Sequence, residues 1–218
     1  MAYGITVEIW GESACFSRPE LKVERVSYDV MTPSAARGIL EAVAWKPAIK
    51  YVIDEIAVCA PIRFWNIRRN EVDFKANPGK PKSAVERRVQ RASMVLKDVR
   101  YVVVAHFKMT DEAGEDDNEG KFADIIRRRL ERGQNFHAPY LGTREFPAKL
   151  RLIPEGGPRP APIAETRSLG LMLYDIEHEV EKGKGKGGAD IVKSFKPTYF
   201  KAEMRSGVID LRGVEVLR

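Results

Sequence analysis

Alternation and helical spacing divide this chain into elements. Ile5, Val7 and Ile9 alternate with Thr6, Glu8 and Trp10, the period-two signature of a half-buried strand, which Gly11 closes. In Ser27–Pro47 (SYDVMTPSAARGILEAVAWKP), Ala36, Ile39, Leu40 and Val43 share one helical face, with Arg37 and Glu41 on others. Thr32 is placed as N-cap, Pro33 as the first helical residue and Pro47 as a stop, so the spacing predicts a helix of about three turns. The β-branched run Tyr51–Cys59 predicts a second strand, which 62–67 either prolongs or partners beyond Pro61. Asn77–Pro78–Gly79–Lys80–Pro81 marks a mobile loop within 70–83, and 87–91 reads as a frayed helix or the approach to a strand. Tyr101–Phe107 (YVVVAHF) is nearly continuous in apolar residues, which predicts a central strand. The next helix spans 121–132, with Phe122, Ile125, Ile126 and Leu130 inward, arginines near its C-terminus and Gly133 at its end. Residues 146–153 alternate as a strand and 154–162 form a Pro/Gly linker. Strands at 169–176 and 199–208 then flank the flexible basic turn KGKGKGG (Lys182–Gly188).

This order predicts an α+β chain: a ferredoxin-like (RRM-like) βαββαβ domain over 1–153, carrying a basic insertion at 61–100, then a smaller β-rich extension over 161–218. No stretch approaches the roughly 18 uninterrupted apolar residues of a membrane helix, and the N-terminus lacks a secretion signal. Cys15 and Cys59 make neither a disulfide scaffold nor a zinc site. The expectation is a cytoplasmic protein with no membrane partner.

Charge sharpens this picture. The net charge is +6, but Pro61–Lys108 alone holds twelve Lys or Arg against four acids, a net of +8. A basic segment on a near-neutral body suggests a polyanionic partner, and on charge alone duplex DNA fits as well as RNA. Within it, Arg63–Phe64–Trp65–Asn66–Ile67–Arg68–Arg69 interleaves aromatic and cationic side chains. Rings and guanidinium planes stack on unstacked bases while Arg and Lys neutralise phosphates; the alternative is a strand whose Phe64 and Trp65 pack inward. Arg63, Arg68, Arg69, Arg87 and Arg88 are the expected phosphate contacts.

Other motifs carry less. Gly183, Gly185 and Gly188 satisfy G-x-G-x-x-G, but no amphipathic helix follows, so a hairpin tip fits better than a nucleotide cradle. Asp111–Glu119 is acidic without calcium-loop spacing. His106 lies inside the central strand and His178 among acids; His137, in the loop QNFHAPYLG, is the histidine best placed for chemistry. None has metal-ligand spacing, so no metal and no cofactor is expected.

Several stretches together resemble one family: ACFSRPE (Ala14–Glu20), VERVSYDVMTPSAARGILEA (Val23–Ala42), WKPAI (Trp45–Ile49), RRNEV (Arg68–Val72) and YLGTREFPA (Tyr140–Ala148). The chain is similar to the fifth family of CRISPR-associated proteins in its subtype I-C form, within the RAMP superfamily. The resemblance implies recognition of CRISPR repeat RNA and metal-independent cleavage of the precursor at the base of the repeat hairpin. It also implies retention on the 5′ handle, beside other subtype I-C effector-complex subunits, in antiviral defence. In the family pattern an aromatic Tyr or His precedes the WKP of the first helix, and a Lys-His pair opens the second. Here Lys121 matches the lysine, but Ala44 precedes Trp45 and Phe122 follows Lys121, so two of these three positions hold no proton-transferring group. His137 and Tyr140 are the nearest substitutes by chain position, while Trp45 and Lys46 are expected to orient RNA. The competing expectation is a non-catalytic RNA-binding scaffold.

Overall fold

The computed structural model describes residues 4–218 except 22, 75–76, 78, 80–82, 84 and 182–190. The KGKGKGG turn and most of the Asn77–Pro81 loop therefore lie outside the described residues. Ten elements follow one another: β1 (Ile5–Ala14), α1 (Pro33–Val43), β2 (Ile49–Val58), β3 (Phe64–Val72), β4 (Arg88–Met109), α2 (Glu119–Glu131), β5 (Lys149–Leu152), β6 (Arg167–Glu181), β7 (Ile191–Met204) and β8 (Val208–Asp210). The fold is mixed helix and sheet, with antiparallel strand pairs throughout the named ladders. Among the described residues no helix is long and apolar enough to cross a membrane.

β4 is the axis of a six-stranded sheet ordered β5-β1-β4-β2-β8, with β3 also on β4. Its later half pairs with β1, from Ala14↔Leu96 to Ile5↔Ala105, and with β2, from Val58↔Tyr101 to Ile49↔Met109. Its earlier half runs past the end of β2 and pairs with β3, from Phe64↔Leu96 to Val72↔Arg88. The basic segment is thus a long hairpin growing out of the sheet, and 88–91 is strand rather than helix. The near-continuous apolar run at 101–107 is buried because it has a strand on each side.

Other boundaries move as well: the strand expected over 146–153 shortens to Lys149–Leu152, that over 169–176 lengthens to Arg167–Glu181, and that over 199–208 begins at Ile191. β1 does not close at Gly11 but continues to Ala14, because Gly11 still pairs with Val99. A Cβ at residue 11 would lie 2.5 Å from Leu141 Cδ1 and 3.0 Å from the Pro147 oxygen, so the glycine admits the 140–147 loop rather than ending a strand. The strand expected over 199–208 is broken by a turn at Ser206 and Gly207, both at positive φ. Beyond it β8 turns onto the β2 edge.

Both helices are capped as their sequences suggest. Thr32 Oγ1 accepts the Ala35 N–H at 3.2 Å, and Asn118 Oδ1 accepts the Lys121 N–H at 2.9 Å, so α2 starts two residues before Lys121. Ala36, Ile39, Leu40 and Val43 of α1 and Phe122, Ile126 and Leu130 of α2 are buried in the main core with Ile9, Tyr101 and Val103 of the sheet. Leu169, Met172, Phe200 and Met204 of the β6–β7 hairpin join the same cluster. Ala57, Val102 and Ile153 form a smaller cluster.

Candidate functional site

The end of α1 is built from carbonyl groups that three other segments satisfy. α1 stops at Val43, and Ala44 is extended, with φ −150° and ψ 110°. The Ala42 oxygen accepts the N–H groups of Phe136 (2.8 Å) and His137 (3.3 Å). Arg129 of α2 donates to the Val43 oxygen at 2.7 Å, and the Tyr51 hydroxyl of β2 donates to the Ala44 oxygen at 2.7 Å. These donors occupy helix-end carbonyls that would otherwise need water. Burial pushes the Tyr51 phenol well above its ordinary value, so it remains a donor.

Just beyond this end Trp45 is 52% exposed and Lys46 is exposed. Thr110 holds the turn, donating its hydroxyl to the Pro47 oxygen (2.5 Å) and its N–H to the Ala48 oxygen (2.9 Å). That links residues 45–48 to the loop leading into α2. There Lys121 Nζ lies 2.9 Å from Asp117 Oδ1, and Asp117 also accepts the Gly114 N–H at 3.1 Å. The hydrogen bond from Lys121, then that of Gly114, holds the Asp117 carboxyl below the usual range, and Lys46 adds to the effect. The same pair raises the Lys121 ammonium above its ordinary value. Lys46 and Lys121 thus act on one carboxylate.

The two substituted positions face the other way. Ala44 is 5% exposed and Phe122 is 3% exposed, both within the main core. His137 is exposed; its backbone is tied to α1, and its ring meets Phe136 edge-on at 5.9 Å. Tyr140 is half-buried and bridges to Pro147. Lys121 stands eight residues before Arg129 on α2, about 12 Å along the helix axis. His137 and Ala44 therefore gather at the Arg129 end of α2, and Lys121 lies at its start.

On the β3–β4 hairpin the expected phosphate contacts divide into paired and unpaired groups. Arg63 bridges to Asp98 (3.1 Å), and Arg87 grips Asp73 through Nε and Nη2 at 2.9 and 2.8 Å. Arg69 bonds to Ser93 (3.0 Å) and pairs with Glu145 and Glu71, within a network shared by Arg25 and Arg91. Among the described residues, Arg68 and Arg88 have no acidic partner. The register Arg68↔Ala92 and Val72↔Arg88 puts both on the same face of the hairpin, about 13 Å apart along the strands. Phe64 and Trp65 do not pack fully inward: Trp65 is 43% exposed, with Lys97 Nζ 5.7 Å from its ring centre.

The family model described as CRISPR-associated protein Cas5 matches residues 4–212. The chain belongs to the Cas5 family, in its subtype I-C form. A relative from Mannheimia succiniciproducens, named CRISPR pre-crRNA endoribonuclease Cas5d, is 46% identical over 97% of this chain and 96% of its own. One from Thermus thermophilus with the same name is 41% identical over 95% of this chain and 90% of its own. A solved structure titled as that of a CRISPR-associated protein superposes with a TM-score of 0.67 at 21% identity, covering 95% of this chain and 91% of that one, and supports the fold.

Within this Cas5 chain, sequence reasoning missed Arg129 and Glu145. Arg129 read as one of several cations suited to a helix C-terminus, and nothing in the spacing showed that it reaches the end of α1. Glu145 lies in YLGTREFPA, but its arginine partners are far away in sequence. Gly142 in that loop has φ +85°, and a Cβ there would sit 2.0 Å from the Cys15 oxygen. Only glycine lets the loop, and Glu145 with it, lie against β1.

Proposed function

We propose that this chain binds CRISPR repeat RNA and cleaves the precursor transcript at the base of the repeat hairpin without a metal ion. It then stays on the 5′ handle as a subunit of the subtype I-C effector complex. The match along nearly the whole chain to two proteins named pre-crRNA endoribonucleases carries this reading. The β5-β1-β4-β2 order, with α1 and α2 each linking successive strands, supports a ferredoxin-like domain over 1–153. Residues 161–218 are then a β-rich extension that completes the core.

Cleavage of this kind removes the proton from a ribose 2′-hydroxyl, whose oxygen attacks the adjacent phosphorus. The bond to the 5′-oxygen breaks, and that oxygen takes up a proton, leaving a 2′,3′-cyclic phosphate and a 5′-hydroxyl. Lys121 supplies positive charge for the crowded phosphorane, with Lys46 as a second cation on the same carboxylate. Ala44 and Phe122 can move no proton. Of the two substitutes offered by chain position, His137 is the more exposed; its loop is fixed to α1 through Ala42, at the end of α2 away from Lys121. Trp45 offers a ring to a base beside the scissile bond, and Arg68 and Arg88 hold phosphates of the hairpin.

The burial of Ala44 and Phe122 favours a second reading, a scaffold that binds repeat RNA without cutting it. Incubating the purified protein with repeat RNA in EDTA, beside a scrambled hairpin and duplex DNA, tests both. A cut repeat supports the nuclease, and a repeat that is shifted but intact supports the scaffold. Equal salt-sensitive binding of repeat RNA and duplex DNA would instead indicate a general nucleic-acid binder.

A further inference from the structure

The strand register builds a second polar surface away from the end of α1. Trp10 pairs with Arg100 of β4 and with Lys149 of β5, so Lys149, Trp10 and Arg100 form one row across three strands. In the next row on that face, Glu8 lies between Val102 and Arg151. Their neighbours Ile9 and Tyr101 point the other way, into the main core beneath the helices. The row thus lies on the face turned away from α1 and α2.

Glu8 is the unusual member. It is 2% exposed, yet it carries a carboxylate. Arg100 Nε donates to Glu8 Oε1 at 2.6 Å, and Arg151 Nε donates to Oε2 at 2.8 Å. A buried carboxylate needs such partners, and here it fixes two guanidinium groups beside an indole. Each arginine is itself about half exposed and has N–H groups left over for another ligand. The acids near the rim are Glu12 and Asp98, and Asp98 is taken up by Arg63.

Two clefts meet on this row. One is lined by Trp10, Arg100, Lys149 and Arg151. The other is lined by Trp10 and Lys149 together with Val43, Arg129, Gln134 and Asn135. A continuous surface therefore runs from the end of α1, past β5, onto the sheet at Trp10 and Arg100, beside the part of that face that Ile153 covers at Ala57 and Val102. Resting on the reading that this chain binds repeat RNA, we propose that a single-stranded part of that RNA follows this surface. One base stacks on Trp10 while Arg100, Arg151 and Lys149 hold the flanking phosphates. An aromatic ring between cations suits an unstacked nucleotide, whereas paired bases in a duplex would hide their faces from the indole.

Photo-crosslinking wild-type protein to repeat RNA carrying 4-thiouridine at each single-stranded position, followed by peptide mapping, tests this directly. The expected crosslink falls in the β1 peptide containing Trp10. Trp10→Ala is expected to weaken binding about tenfold, with Trp10→Phe retaining most of the affinity. Lys149→Gln is expected to flatten the salt dependence by about 0.7, one phosphate contact. Should Trp10→Ala melt early, the wild-type crosslink and Lys149→Gln still decide. Wild-type binding with no β1 crosslink, and with affinity and salt slope unchanged in all three variants, overturns the track but leaves RNA binding intact. Crosslinks confined to the β3–β4 hairpin do the same, and a wild-type protein that binds no repeat RNA overturns both readings.

Discussion

The Tyr51 hydroxyl donates a hydrogen bond of 2.7 Å to the carbonyl oxygen of Ala44, the residue standing where the family resemblance expects an aromatic proton-transfer group. A tyrosine is therefore present next to that position, but it is buried and committed to the backbone. Tyr51→Phe leaves the Ala44 carbonyl without this donor, at a cost of about 1–3 kcal/mol. For a chain of this size that lowers Tm by about 3–10 °C, measurable by thermal melting. An unchanged Tm would mean that water replaces the hydroxyl.

Gly142→Ala should be far more damaging. Its positive φ, and the 2.0 Å approach of a Cβ to the Cys15 oxygen, leave no room for even a methyl group. The loop must then lift from β1 and take Glu145 away from Arg25 and Arg69. Early melting with loss of RNA affinity is expected, whereas a variant melting like the parent would contradict the packing described here.

If Lys121 contacts RNA as proposed, Asp117 should compete for it, since the two are paired at 2.9 Å. Its carboxyl is held below the usual range, so the pair's contribution is present above the unfolded-state value and is lost only as pH falls through the lower folded-state one. At neutral pH the carboxylate is thus ionised and occupies the lysine. Asp117→Asn should tighten repeat-RNA binding by about two- to fivefold, the scale of an exposed ion pair, with little change in Tm. Weaker binding in a filter or gel-shift titration would show that Asp117 positions Lys121 rather than restraining it.

The hairpin arginines should separate in a salt series. Arg68→Gln and Arg88→Gln each flatten the salt dependence of RNA binding by about 0.7, as expected for one lost phosphate contact. Arg87→Gln changes it less, because Asp73 already holds two of its donors. Equal slopes for all three would show that ion pairing in the free protein does not govern contact with RNA.

Much of this was legible in the chain. The helix from Pro33 to Val43 follows from its cap, its proline and its apolar face, and the central strand follows from YVVVAHF. The reach of β4 back to Arg88 was not legible, because its early half is an edge-like hairpin whose alternation is masked by arginines on both faces. Gly11 read as a stop because a glycine that ends a strand and one that admits a neighbouring loop look alike locally. At the candidate site, the sequence showed that Ala44 and Phe122 cannot transfer protons. It could not show that both are buried, or that Arg129, Tyr51 and the His137 backbone converge on the end of α1, since those contacts link residues far apart in the chain.

The central claim is cleavage of repeat RNA with Lys121 as the phosphorane cation, and the rate of that cleavage in EDTA tests it most directly. Wild-type protein is predicted to cut once at the base of the hairpin, leaving a 2′,3′-cyclic phosphate and a 5′-hydroxyl. Lys121→Ala should be slower by about 10²-fold or more. The Ala44→Tyr, Phe122→His double variant should be less stable and no faster than wild type, because both positions lie in the core. Repeat RNA bound by wild type but never cut, or cut equally fast by wild type and Lys121→Ala, would contradict it.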